Sequence, residues 1–287
     1  MSFKLLLLRE EKRPETHLVD NWPTLIKQAV PDAEVFLRNS PAEAQDVIEE
    51  VDAAFGNIVP ELFIQAKKLR WIASPQAGPE AGFYHRQMAE GEVVVTNTRG
   101  IYNDHIGAHI MAYVLTFSRG LHLYRDQQRE NRWQKGAPTV YLPGATVVII
   151  GVGGIGGEAA RLCAAFGMTV IGVDAREETA PPGVAELYTP DRTDEVLPRA
   201  DFVIVTVPET PATQGYFNAA RFARMKKGAF FINIGRGATT VLSDLNEALR
   251  SGHLAGAGLD VYQVEPLPSD HPLWGVPGAI LTPHVAA

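Results

Sequence analysis

The sequence predicts an α/β protein built as two doubly wound parallel-sheet domains. Three observations predict it. Short β-rich apolar runs alternate with helical stretches from end to end, the pattern of parallel sheets with helical crossovers. The alternation is interrupted once, after Asn97, by a long apolar periodic stretch and a polar arm broken by Gly and Pro. A length of 287 residues also suffices for two cores of ordinary size.

In the first domain, residues 1–100, strands are expected at FKLLLL, AEVFL, VDAAFG, LRWIAS and EVVVTN. Helical segments are expected between them, around residues 16–29, 42–49, 60–67 and 79–89. The apolar runs read as strands buried on both faces. After Asn97 the periodicity of TRGIYNDHIGAHIMAYVLTFSRGLHLYRDQQRE predicts one long helix with Asp104 near its start. The arm NRWQKGAPTVYLPG follows, and its Trp133 and Tyr141 read as interface or core residues. From Ala145 a second alternation runs ATVVIIG, helix, MTVIGVD, loop, ADFVIVTV, helix, GAFFINIG, helix, LAGAGLD. The second domain is therefore residues 101–287, with a hinge near residues 99–103.

Composition narrows the class. Hydrophobic content of 46% and charged content of 21% are ordinary for a globular protein. No run of 18 apolar residues suggests a membrane span. The opening MSFKLLLLREEKRPE has only four leucines before its charges, which reads as a buried strand rather than a signal peptide. A net charge of −7 without a Lys/Arg stripe argues against nucleic acid or an anionic membrane as partner. The single cysteine, Cys163 in RLCAAFG, excludes an intrachain disulfide and a thiolate metal cluster, reads as a packed core thiol and points to the cytoplasm.

GVGGIG at residues 151–156 directly follows the apolar strand TVVII and opens the helix GGEAARLCAAFG. In that context Gly151 allows a tight turn, Gly153 lets backbone approach a pyrophosphate, and Gly156 lets helix and strand pack closely. The first-turn N–H groups and the helix dipole then favour phosphate charge. Asp174 closes the next strand, MTVIGVD. A carboxylate there accepts from ribose hydroxyls and repels a 2′-phosphate, which favours NAD over NADP. Arg176, two residues on, is the type of residue that binds a 2′-phosphate instead.

Three segments near strand ends of the second half carry the chemistry: NIGRG (233–237), GLDVYQVEP (258–266) and LTPHVAA (281–287). Reduction of a 2-oxoacid needs a cation on the carboxylate and carbonyl, an acid for the developing alkoxide, and a partner that orients the acid. Arg236 offers a planar fork for the first role. His284 offers the second, since an imidazole titrates near neutrality. Glu265 offers the third by accepting from the imidazole. His105 and His109 stand four apart on the long helix, but with no third ligand in view they read as packed or solvated residues rather than metal ligands.

NIGRG, AGAGLDVYQVEPLPSDHPLW and LTPHVAA resemble the signature segments of the D-isomer-specific 2-hydroxyacid dehydrogenases. RWIASPQAGPE, VVVTNTRGIYNDHIGAHIMAYVL, GATVVIIGVGGIGGEAA and VPETPATQGYFN extend the resemblance through nearly the whole chain. It implies a flavodoxin-like substrate domain followed by a Rossmann dinucleotide-binding domain. It implies Arg236, Glu265 and His284 as catalytic residues, and Ala77 and Gly78 as the backbone that binds the substrate carboxylate. Gly151, Gly153, Gly154, Ile155, Gly156, Asp174, Val207, Ile234 and Asp260 are then the cofactor contacts, with Asp260 near the nicotinamide carboxamide. A 2-oxoacid substrate of glyoxylate or hydroxypyruvate type or larger, a homodimer built on the arm and long helix, and an active site in the interdomain cleft follow from the same resemblance.

Two rival functions share this fold. Formate dehydrogenases share the fold, but Glu265 argues against that branch, which carries an amide partner for its histidine. An NADH-sensing corepressor-like scaffold on the same fold is the alternative from another class, because such proteins can keep the Arg-Glu-His set. The native polypeptide is also expected to continue beyond Ala287, since the buried strands of the first domain need more cover than its short helices offer.

Overall fold

The computed structural model describes residues 3–9, 19–78, 82–176 and 178–287. The chain divides into two compact units, Met1–Ile101 and Tyr102–Ala287. The first contains β1 (Lys4–Leu8), α1 (Trp22–Ala29), β2 (Glu34–Arg38), β3 (Ala53–Phe55), α2 (Pro60–Phe63), β4 (Trp71–Ala73), α3 (Arg86–Glu90) and β5 (Val94–Thr96). All five strands are parallel, in the order β2-β1-β3-β4-β5. That is the flavodoxin-like order.

Alternation within these short strands sets the core. Leu6, Leu8, Ala54 and Ile72 point to one face and pack with Ala44, Ile48, Leu62 and Met88. On the other face Leu7 and Ala53 are also buried, so the centre of the sheet is covered twice, whereas Trp71 and Val94, paired across β4 and β5, are 42% and 60% exposed. The expected helix at 42–49 is instead a 3-10 turn, Glu43–Asp46. Its acidic side chains turn back to the end of β2, Asp46 onto the Arg38 guanidinium and Glu43 onto the backbone and amide of Asn39. The helix expected over 60–67 closes after four residues, at Phe63. Residues 16–18 and 79–81 of the other two expected helices lie outside the described residues.

The second unit opens with α4 (Asn103–Ser118) and α5 (Leu121–Arg129). The single long helix expected here is thus two helices, because Gly120 takes a left-handed φ of +63° between them. The arm after α5 has no regular structure, though Val140 N–H bonds the Ser118 carbonyl and Ala137 N–H the Tyr124 hydroxyl. Trp133 is 93% and Tyr141 80% exposed, which removes the core reading of both.

The rest of the unit is β6 (Thr146–Ile150), α6 (Gly154–Ala165), β7 (Thr169–Val173), β8 (Glu186–Tyr188), α7 (Thr193–Val196), β9 (Phe202–Val205), α8 (Ala219–Arg224), β10 (Phe230–Asn233), α9 (Leu242–Arg250), β11 (Gly256–Leu259) and β12 (Ala279–Leu281). The seven strands are parallel in the order β12-β11-β10-β9-β6-β7-β8. This is the Rossmann order with one further strand, and the direction of winding reverses between β6 and β9. Val148, Ile150, Val203, Val205 and Phe231 face the side covered by α8 and α9. Val147, Ile149, Phe202, Ile204, Phe230 and Ile232 face α4 and α6. Cys163 lies in that second core, fully buried, and burial pushes its thiol up to about 12, so it carries no nucleophilic chemistry. Among the described residues no helix is long and apolar enough to cross a membrane.

Candidate active site

The Gly-rich turn sits at the reversal point between β6 and β9. Gly151 has φ +90°, and a Cβ on it would meet Val207 at 2.8 Å. A Cβ on Gly156 would lie 1.8 Å from the Gly151 carbonyl oxygen, so only glycine lets α6 start this close to its strand. Gly153 differs: a Cβ there meets nothing within 4 Å, so the backbone faces open space beside the start of α6. The helix has no side-chain N-cap, which leaves first-turn N–H groups of Gly154 and Ile155 for an anion. Open space over a Gly backbone and an uncapped helix start fit a dinucleotide pyrophosphate.

Asp174 follows β7 and accepts from Val152 N–H at 2.8 Å and from Arg176 N–H at 2.8 Å. The carboxylate therefore braces the turn itself. Asp174, Arg176, Leu187, Tyr188 and Thr189 line a cleft of about 410 Å³ between the ends of β7 and β8. β8, which lies in the segment read as a loop, thus builds one wall of it. Arg199 beside Glu186, helped by the Tyr188 hydroxyl, holds the Glu186 carboxyl down at about 2.

At the end of β10, Asn233 is fully buried and folds the NIGRG loop. Its Oδ1 accepts from Gly235 N–H at 2.9 Å, while its Nδ2 reaches Thr240 Oγ1 at 3.0 Å, Thr239 Oγ1 at 3.1 Å and the Arg236 carbonyl at 3.2 Å. Arg236 stands half-buried on this loop, with Nη1 donating to the Gly235 carbonyl at 2.8 Å. Ile234 is buried beneath it. A Cβ on Gly237 would fall 1.9 Å from the Tyr262 carbonyl carbon, so the Arg236 loop lies directly on the loop that carries Glu265.

Glu265 Oε1 accepts from Tyr262 N–H at 2.8 Å, and its Oε2 faces His284 Nδ1 at 2.7 Å. The side chains keep 36% and 49% exposure, so the pair is open to a reacting molecule. His284 itself has φ +56°, a left-handed backbone that costs energy for a non-glycine residue. Asp260, 1% exposed, spends both oxygens on the same segment: Oδ1 accepts from Val285 N–H and Thr282 Oγ1, and Oδ2 from Ala286 N–H. The expected catalytic residues Arg236, Glu265 and His284 thus follow three adjacent strands, β10, β11 and β12. Ala77 and Gly78 lie in the loop after β4 of the first unit, where Asn97 Nδ2 donates to the Ala77 carbonyl at 2.7 Å.

Sequence reasoning missed Asn233, Thr282, Tyr113 and Tyr262. Their signal is a hydroxyl or amide at a strand end or on an apolar helix face, which becomes meaningful only with its distant partner. His109, read as packed or solvated, reaches Thr282 Oγ1 at 3.2 Å and packs edge-on against Tyr113. His105 pairs with Asp104 on the surface.

A parallel Rossmann sheet, a Gly turn braced by an acid, and an Arg, Glu and His on neighbouring strand ends define a dinucleotide-binding oxidoreductase fold. Residues 111–286 match the family model "D-isomer specific 2-hydroxyacid dehydrogenase, NAD binding domain". The chain belongs to the D-isomer-specific 2-hydroxyacid dehydrogenase family. It is 35% identical over 205 residues to a putative 2-hydroxyacid dehydrogenase of Haemophilus influenzae, an alignment that spans 68% of this chain and 64% of that protein. A crystal structure of a D-isomer-specific 2-hydroxyacid dehydrogenase family protein from Aeromonas salmonicida is 33% identical, with a TM-score of 0.85 over 100% of this chain and 90% of that one. An NADPH-dependent glyoxylate/hydroxypyruvate reductase from Sinorhizobium meliloti, solved with NADP and sulfate, is 31% identical, with a TM-score of 0.82 over 100% of this chain and 89% of that one.

Proposed function

We propose that this protein reduces a 2-oxoacid, of glyoxylate or hydroxypyruvate type or larger, with NADH, and oxidises the matching D-2-hydroxyacid in reverse, with His284 as the proton-transfer group. The observation that carries the reading is the 2.7 Å contact between His284 Nδ1 and Glu265 Oε2, one strand away from the Arg236 loop. The turn 151–156 would hold the pyrophosphate, Asp174 the ribose hydroxyls, and Val207 and Ile234 the flanks of the cofactor. Reduced nicotinamide, when bound, supplies a hydride to the carbonyl carbon. The chain's own residues do the rest. The Arg236 fork binds the carboxylate and polarises the carbonyl. His284 Nε2, the ring nitrogen that Glu265 does not engage, delivers the proton to oxygen. Glu265 fixes the orientation of the ring through its contact with Nδ1. In oxidation His284 takes the same proton back.

NADH is preferred in this reading because the Asp174 charge stands at the mouth of the cleft, where a 2′-phosphate would meet it. Arg176 and the NADP-bound Sinorhizobium structure favour the second reading, use of NADPH. Relative kcat/KM for the two cofactors separates them. The exposed Trp133 and Tyr141 on the arm support a homodimer, which sedimentation checks. Loss of NADH absorbance with glyoxylate, hydroxypyruvate, pyruvate and bulkier oxoacids tests the main reading. Turnover of at least one is expected. Tight NADH binding with no turnover of any would favour the corepressor-like scaffold.

A further inference from the structure

We propose that Tyr113 on α4 is a positioning residue for His284, acting through Thr282 and Asp260. The inference rests on the catalytic reading of His284 given above.

The loop from Thr282 to Ala286 is held on both sides of the histidine. Upstream, Thr282 N–H bonds the Leu259 carbonyl at 2.9 Å, and the Thr282 carbonyl accepts from Tyr262 Oη at 2.9 Å. Downstream, Asp260 takes the N–H groups of Val285 and Ala286, both at 2.9 Å, and Ala286 is buried. The Thr282 hydroxyl joins the two anchors, 2.5 Å from Asp260 Oδ1 and 2.6 Å from Tyr113 Oη. Proton counting then orders the chain. A carboxylate only accepts, so Thr282 gives its single proton to Asp260 Oδ1. Its oxygen is left to accept, which makes Tyr113 the donor across their 2.6 Å contact; the same Tyr113 proton also faces the Leu259 carbonyl at 3.1 Å, and His109 Nε2 lies 3.2 Å from Thr282 Oγ1.

Tyr113 is built for this role. It is 4% exposed, and burial pushes its hydroxyl up to about 12, so it remains a neutral donor over any working pH. A Cβ on Gly258 would lie 2.7 Å from the Tyr113 ring, so the glycine on β11 opens the slot in which the ring lies. Phe117, one turn on, stacks on Phe230 and fixes the same helix face. α4 is thereby tied to the backbone that holds His284 in its left-handed conformation. Small displacements of a proton donor are costly to rate while leaving remote binding intact.

The test is a double-mutant cycle in the full-length protein, with the oxoacid that turns over best. Tyr113→Phe should lower kcat for reduction about tenfold, with the Kd for NADH unchanged. In the His284→Ala background the same change should cost nothing further, because the group it positions is gone. Thr282→Val should reproduce the Tyr113→Phe loss and Thr282→Ser should restore most of the rate, which keeps the test open should Tyr113→Phe fold poorly. A kcat for Tyr113→Phe within twofold of wild type would overturn the proposal. So would a tenfold loss that persists in full without His284, the mark of a general packing role. Wild-type turnover by His284→Ala alone would remove the catalytic reading, and this proposal with it.

Discussion

Two loops at the same edge of the seven-stranded sheet are built in opposite ways. The turn after β6 is shaped by what is missing: Gly156 clears the Gly151 carbonyl, Gly153 faces open space, and one carboxylate, Asp174, braces the backbone. The loop after β12 is shaped by what is present: a buried carboxylate, a threonine hydroxyl and two tyrosines pin Thr282, Val285 and Ala286 on the two sides of His284. A cofactor's phosphates need backbone access, which absent side chains provide. A proton donor needs a fixed position, and polar side chains must supply it. The first design is local in sequence, the second is not.

Substitutions sharpen that contrast. The largest effect is expected at Gly156→Ala, whose methyl would collide with Gly151 and Thr206. Overpacking of this kind costs about 3 kcal/mol, felt as a lower Tm and a lost NADH signal in calorimetry. Gly153→Ala should leave Tm unchanged, since its methyl has room, yet weaken NADH roughly tenfold by crowding the pyrophosphate. Equal effects of the two would erase the distinction between a packing glycine and an access glycine. In the other loop, Asp260→Asn turns one of the two acceptors of the Val285 and Ala286 N–H groups into a donor, at about 2 kcal/mol. Turnover should fall with stability there, whereas NADH affinity should fall less.

Arg236→Lys keeps the charge and loses the fork, so KM for the oxoacid should rise roughly tenfold. Unchanged kinetics would put the substrate carboxylate elsewhere. The smallest effect concerns the cleft wall. The Glu186 carboxyl, ordinarily near 4.5, is held at about 2 mainly by Arg199. Its stabilisation is complete above 4.5 and drains away as pH falls through 2. Because both side chains are more than a third exposed, Glu186→Gln should cost only about 0.5 kcal/mol near neutrality. Its acid unfolding should also be less steep between those two values.

The sequence makes the first loop legible and the second only in outline. GVGGIG between an apolar strand and a helix announces its geometry, because each glycine acts within a few residues of itself. Arg236, Glu265 and His284 are readable as chemistry, by residue type and by resemblance. Their support is not: Tyr113 and Thr282 meet across 169 positions, and nothing in either neighbourhood names the other. Fold elements follow the same rule. Apolar strands such as TVVII and FVIV stand out, whereas β8 has three half-buried residues and no apolar run. The periodicity across α4 and α5 continues through Gly120, so the pattern alone cannot reveal the left-handed break. In the first unit, side chains of Glu43 and Asp46 prefer Asn39 and Arg38 to a helical surface, a choice decided by tertiary partners.

The central claim is that His284 moves the proton in an NADH-linked reduction of a 2-oxoacid. Its most direct test is the turnover of His284→Ala beside the wild-type protein, with saturating NADH and the best oxoacid of the panel. The expected result is a kcat lower by about 10²-fold or more, with NADH affinity retained. A mutant that turns over as fast as the wild type would contradict it.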